Sequence, residues 1–143
     1  MAINPQLVVS TWLTAFAAAS QSCNVEAFSS LFLPNGWLRD LLVFSWDIRS
    51  LEGRSKVADY VAAALADAEI KDVKLDETAH LAPQVSFVPA VQAMDVELAF
   101  SFEFRNGHGR GYARLLPNED GAFKALTAFL MLSVLEQQSV AAD

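Results

Sequence analysis

The chain has 143 residues, 53% of them hydrophobic and 19% charged, enough for one globular domain over residues 1–143 with a substantial core. Ten Lys and Arg against 17 Asp and Glu leave a net charge of −7, which opposes binding to nucleic-acid phosphates or to an anionic membrane surface. The one cysteine, Cys23, excludes an internal disulfide and a multi-cysteine metal site, and the six glycines form no phosphate-cradling loop.

Leu7 to Ser20 is apolar and ends in Ala17-Ala18-Ala19, but no Lys or Arg precedes it, and Ser10, Thr11 and Thr14 interrupt it. A secretory leader has a basic start and an unbroken apolar stretch, so the segment is expected to be a helix of a cytoplasmic protein. Asn4-Pro5 reads as its cap and first helical position, with Val9, Trp12, Phe16 and Ala19 at helical spacing. Asn24 caps a second, shorter helix with Phe28, Leu31 and Phe32 on one face, and Pro34-Asn35-Gly36 is expected to stop it. Trp37 to Asp47 reads as a strand, and Leu51-Glu52-Gly53 as a turn. Val57, Tyr60, Val61, Ala64 and Leu65 have the spacing of an amphipathic helix.

The period then changes from helix to strand. Val73 and Leu75, and then Val85 and Phe87, alternate with polar neighbours. Val96, Leu98, Phe100, Phe102 and Phe104 occupy one face of a long strand, with Glu97, Ala99, Ser101, Glu103 and Arg105 on the other. Asn106-Gly107 is a preferred two-residue hairpin turn, with His108 to Leu116 returning as the partner strand. That turn sets Glu103 opposite Arg110, Ser101 opposite Tyr112, and Phe104, Phe102 and Phe100 opposite Gly109, Gly111 and Ala113. Asn118 to Gly121 is another turn, Phe123 to Leu135 a last strand, and the rest a polar tail. Helices followed by antiparallel strands give an α+β layout with helices on one face of a bent sheet over a pocket.

The order of elements, with Asn24-Val25-Glu26-Ala27-Phe28 leading to Leu31-Phe32-Leu33-Pro34-Asn35-Gly36-Trp37, resembles the NTF2-like superfamily, including its SnoaL-like and ketosteroid-isomerase-like branches. Leu51-Glu52-Gly53-Arg54 is similar to the stretch many members carry before the third helix. Trp37 to Arg49, with Gly109-Arg110-Gly111, resembles the extra N-terminal domain of many fungal flavin-dependent monooxygenases, here expected as a stand-alone version. The resemblance implies a cone of three N-terminal helices on a curved mixed or antiparallel sheet. It also implies a homodimer through the outer sheet face and a substrate from secondary metabolism.

Asp40 stands where the resemblance implies the general-base carboxylate of ketosteroid isomerases. Burial among Leu, Phe and Trp would suit it to that work, while an ion pair with Arg39, Arg49 or Arg54 is the structural alternative. The isomerases' two oxyanion donors correspond to Phe16 and Ala113, which have no side-chain donor, so another donor set is needed. Arg39 and Tyr112 are the candidates to stabilise charge on oxygen, and Glu103 to move a proton. Adjacency on a strand sends Arg39 and Asp40 to opposite faces unless a bulge intervenes. Glu103 has a bland alternative as the cross-strand partner of Arg110, and Arg39 as one half of a surface ion pair.

Trp12, Phe16, Trp46, Phe100 and Phe129 are candidates to wall an apolar substrate pocket with Asp47 at its mouth, or else plain core. His80 and His108 are isolated and make no metal site. The expected activity is a cofactor-independent isomerase or cyclase rearranging an oxygenated hydrophobic intermediate, for instance by a semipinacol-type shift. An epoxide hydrolase or dehydratase using Asp40 with Asp47, and a non-catalytic binding or dimerisation module, stay open as alternatives.

Overall fold

The computed structural model describes residues 4–45, 47–76, 84–88 and 93–135. The chain runs α1 (Pro5–Gln21), α2 (Val25–Ser29), β1 (Phe32–Leu41), β2 (Ile48–Glu52), α3 (Arg54–Ala68), β3 (Lys71–Leu75), β4 (Gln84–Val88), β5 (Ala93–Phe104), β6 (Gly107–Pro117) and β7 (Phe123–Leu135). The strands form one sheet in the order β2-β1-β7-β6-β5-β3, with β4 also paired to β5. The β1–β7 pair is parallel and the others antiparallel, so the α+β sheet is mixed.

Asn4 caps α1 by accepting from the Gln6 and Leu7 amides at 3.1 and 3.2 Å, and Asn24 caps α2 through Ala27 N at 3.0 Å. α3 has no side-chain cap. Gly53, at φ 97°, leads into it, and Arg54 donates through Nε and Nη2 to the Phe32 carbonyl at 3.1 and 2.5 Å, fixing the start of α3 on the start of β1. Trp12 Nε1 donates to Leu31 O at 3.0 Å and ties α1 to the α2–β1 junction. Among the described residues, no helix is long and apolar enough to cross a membrane.

The helices cover the sheet face that carries Val96, Leu98, Phe100, Phe102 and Phe104, none more than 5% exposed. The β5–β6 register differs from the sequence expectation by two residues. Phe104 pairs with Gly107, Phe102 with Gly109 and Phe100 with Gly111, so Arg105-Asn106 is the loop. A two-residue slip leaves every side chain on its expected face, so alternation does not detect it. Close packing decides between the two registers. A Cβ on Gly109 would lie 2.3 Å from the Phe102 ring, and one on Gly111 2.2 Å from the Phe100 ring. The observed register gives each of the three phenylalanines a glycine, whereas the expected one set Phe100 against the methyl of Ala113.

The first strand also differs. It begins at Phe32, and Pro34-Asn35-Gly36 sits within it at an irregularity in the β1–β7 pairing. The strand ends at Leu41 rather than Asp47, and Ile48–Glu52 returns beside it as a second strand that takes in Leu51-Glu52 of the expected turn.

Gly111→Ala is expected to lower stability by about 1–3 kcal/mol, the usual cost of overpacking a tight core. Urea unfolding reads this as a lower midpoint at constant slope. Adding Phe100→Leu should recover part of the loss, and an unchanged midpoint in the single variant would show that the ring does not lie over the glycine.

Candidate active site

Asp40 points to the helix-covered face and is completely buried. Oδ1 accepts from the backbone amides of Val43 and Phe44 at 2.9 and 3.1 Å; Oδ2 accepts from Phe44 N at 3.2 Å and from the Tyr60 hydroxyl at 2.5 Å. These N–H and O–H groups, rather than a guanidinium, keep the buried carboxylate satisfied. Its grip on the two amides bends the chain straight after β1, where Leu42 takes a left-handed φ of 75°.

Tyr60 projects from α3, with its hydroxyl 3.1 Å from Ser45 Oγ. Phe44 packs edge-on against both Tyr60 and Phe28, with ring centroids 6.2 and 6.0 Å apart. Burial pushes the Tyr60 phenol up to about 12, helped by its bond to Asp40 and that carboxylate's charge, and opposed by Ser45 and Arg49. Tyr60 is therefore a neutral donor at ordinary pH. Sequence reading placed it only on the apolar stripe of a helix. The available signal was its polar tip, which needs a partner once the ring is buried.

The other expected site residues do not converge on Asp40. The pleat of β1 sends Arg39 to the opposite, outer face, where it is exposed and donates to Ser50 Oγ at 3.3 Å. Tyr112 is on that outer face as well, and its hydroxyl donates to Glu97. Glu97 also accepts from Arg114 Nη2 at 3.1 Å, and Arg114 Nε meets the buried Asp95 at 2.9 Å. Burial first, and Glu97 second, raise the Tyr112 phenol to about 12. Glu103 pairs with His108 at 2.6 Å instead of Arg110, which takes Asp76 at 2.8 Å; the two-residue register difference accounts for the exchange.

Trp12, Phe16 and Phe100 are at most 3% exposed and fill the interior, with Phe16 centroids 5.7 Å from Trp12 and 5.1 Å from Phe100. Trp12 also borders an apolar groove of about 370 Å³ with Leu7, Ala15 and Phe123. Phe129 lies on the outer face beside Tyr112, with centroids 6.3 Å apart. Asp47 is exposed, beyond the bend that covers Asp40. Trp46 lies outside the described residues. Val43 and Phe44, whose amides hold Asp40, line a groove of about 270 Å³ with Asp67, Ala68, Arg105 and Asn106.

No protein-family model matches the sequence, and no curated protein matches it. Solved structures do. An NTF2-like protein with a cystatin-like fold from Novosphingobium aromaticivorans aligns at TM-score 0.57 and 14% identity, over 96% of this chain and 86% of that one. A candidate dehydratase of the NTF2-like family from Streptomyces avermitilis aligns at TM-score 0.60 and 18% identity, over 92% and 99%. ActVI-ORFA from Streptomyces coelicolor aligns at TM-score 0.63 and 10% identity, over 88% and 95%.

The chain has the NTF2-like fold.

At these identities the likeness speaks for the architecture. An NTF2-like fold is compatible with enzymatic or ligand-binding work, and the chemistry has to be argued from the side chains. In this NTF2-like chain, Asp40 is the expected site residue that ends up buried beside a second ionisable group, Tyr60.

Both tyrosines of the chain should resist ionisation. Absorbance at 295 nm is expected to show midpoints near 12, against 10.0 for a free phenol. Because the folded-state values are raised, their stabilising contribution is complete below pH 10 and is lost as pH climbs towards 12. A midpoint near 10 that persists in Tyr112→Phe would remove the Tyr60–Asp40 bond from the site.

Proposed function

We propose that the protein is a cofactor-independent acid–base enzyme of the isomerase or cyclase class. It acts in the cytoplasm on an oxygenated, apolar small molecule of secondary metabolism. Asp40 is its base and proton shuttle. The observation that carries this reading is the Asp40 carboxylate, fully buried beside aromatic rings and held by two amides and the Tyr60 hydroxyl. Positioned acid–base groups contribute typically ~10²–10⁴-fold in rate.

In this reading the substrate occupies the groove lined by Phe44 and Arg105, and residues 42–45 move aside to admit it to Asp40. A C–H bond beside a carbonyl breaks, its proton passes to Asp40, and the electron pair moves onto the carbonyl oxygen. Arg105 stabilises that oxygen, and a proton returns at another carbon. Arg39 and Tyr112, the donors expected from sequence, leave this role because they stand on the far face of the sheet. A water-activating pair of Asp40 with Asp47 is not favoured, since one is buried and the other lies exposed beyond the bend.

The test is a panel of apolar epoxides, enones and hydroxylated imines followed by mass spectrometry with and without Asp40→Asn. The Asn side chain keeps an acceptor oxygen for the Val43 amide, so the fold is expected to survive. Loss of turnover by about 10²-fold or more in a folded Asp40→Asn variant is the expected outcome. Equal turnover in the variant, or no conversion across the panel, overturns the reading.

We also propose that the outer sheet face joins two copies of the chain. Trp37 and Phe129 on that face are 40% and 36% exposed, an unusual cost for large apolar side chains near a sheet centre. Sedimentation at micromolar concentration should give a dimer, and Phe129→Glu a monomer. A monomeric wild type overturns this.

A further inference from the structure

The hydroxyls beside Asp40 form a line. Asp40 Oδ2 lies 2.5 Å from Tyr60 Oη, and Tyr60 Oη lies 3.1 Å from Ser45 Oγ. Ser45 Oγ in turn bonds the backbone of exposed Asp47, 3.3 Å from its carbonyl and 3.2 Å from its amide. The first oxygen belongs to a completely buried residue and the last to a half-buried one at the surface bend. Each hydroxyl carries one proton and can accept another while giving up its own.

We propose that Tyr60 and Ser45 are a proton relay that connects the buried Asp40 carboxyl to solvent. This deepens the reading of Asp40 as a proton shuttle and rests on it. The transfer balances without any co-reactant. Protonated Asp40 gives its proton to Tyr60 Oη, Tyr60 gives its own to Ser45 Oγ, and Ser45 releases one to water at the bend. Asp40 is left ionised and both hydroxyls remain neutral. Reverse movement reloads Asp40 while residues 42–45 are closed over it, so the carboxyl resets between turnovers. Tyr60 is a positioning residue here, since it acts through Asp40 and touches no substrate.

The geometry gives Ser45 a role that a purely structural tether would not need. The Tyr60–Asp40 bond alone suffices to hold α3 against the end of β1. A second hydroxyl on the outward side of Tyr60 adds a path for the proton.

The test is the exchange of the Tyr60 hydroxyl proton with solvent in the full chain, and it needs no substrate. Tyrosine labelled with ¹³C at Cζ is observed in equal volumes of H₂O and D₂O, where line shape reports how fast the hydroxyl exchanges. Tyr112, bonded to Glu97 on the other face, is the internal control. Ser45→Ala should slow exchange at Tyr60 by about tenfold, the rate equivalent of one lost hydrogen bond, and leave Tyr112 unchanged. Ser45→Thr should restore it. An unchanged Tyr60 rate in Ser45→Ala, or equal slowing at Tyr112, overturns the relay. If Asp40→Asn retained full turnover while Ser45 still controlled exchange, the enzyme reading would fall and the path from Asp40 to solvent would stand.

Discussion

The Asp40 carboxylate is the constraint on which this end of the molecule depends. Two amides beyond β1 are drawn onto it, so the strand stops and the chain turns without a glycine or proline. Leu42 accepts a left-handed backbone that costs a non-glycine residue roughly 1–2 kcal/mol, and the bonds from Val43 and Phe44 offset that cost. The same carboxylate receives the Tyr60 hydroxyl and so fixes α3 against the end of β1, as Arg54 fixes its beginning. Truncating this side chain, with the loss of its acceptor oxygens, would therefore disturb strand, bend and helix together. A residue with this many structural duties can also be catalytic only if the segment it holds is able to move.

The interior is organised by a second constraint, the match of aromatic rings to bare backbone. Phe102 and Phe100 lie over Gly109 and Gly111, and Phe16 and Trp12, stacked on each other, pack against them at a tilt from α1. The space between helices and sheet, where an apolar substrate was expected, is filled by Trp12, Phe16 and Phe100. Grooves that do open among the described residues include one between α1 and β3, one beside Trp12 and Phe123, and one at the Val43–Phe44 bend. Aromatic residues at core spacing have the same sequence signature whether they wall a cavity or plug it; only the third dimension separates the two.

Much of the fold was legible because its signals are local. The Asn4 and Asn24 caps, the stripe of α3, the alternation of β5 and the span of β7 all follow from neighbouring residues. The end of β1 was not legible, because its turn is made by a side chain inside the strand rather than by turn residues. Nor was the hairpin register, since Asn106-Gly107 favours one pairing locally while two Phe–Gly contacts, Phe102 on Gly109 and Phe100 on Gly111, favour another. Those contacts involve buried rings and win over turn preference. For the site, Asp40 could be picked out by its apolar surroundings. Its partner could not, because Tyr60 lies twenty residues away on a helix and only the packing of α3 on β1 brings them together.

The scarcity of charge has a consequence for where chemistry can occur. On the outer face Asp95, Glu97 and Arg114 engage one another and the Tyr112 hydroxyl, while Glu103 meets His108 and Arg110 meets Asp76. Those groups pair across a surface that also carries Trp37 and Phe129, the surface on which the proposed dimer rests. On the helix-covered face Asp40 is the buried carboxylate, and its partners are amides and a neutral phenol. Amides and a neutral phenol can fix a carboxylate in place without neutralising its charge. A salt-bridged carboxylate such as Asp95 is held by the charge it would have to surrender on protonation. Among the described residues no Lys or Arg side chain bonds the Asp40 carboxylate, whereas Arg114 meets Asp95. That difference in partners is why the proposed proton transfer is assigned to Asp40 rather than to the paired carboxylates of the outer face.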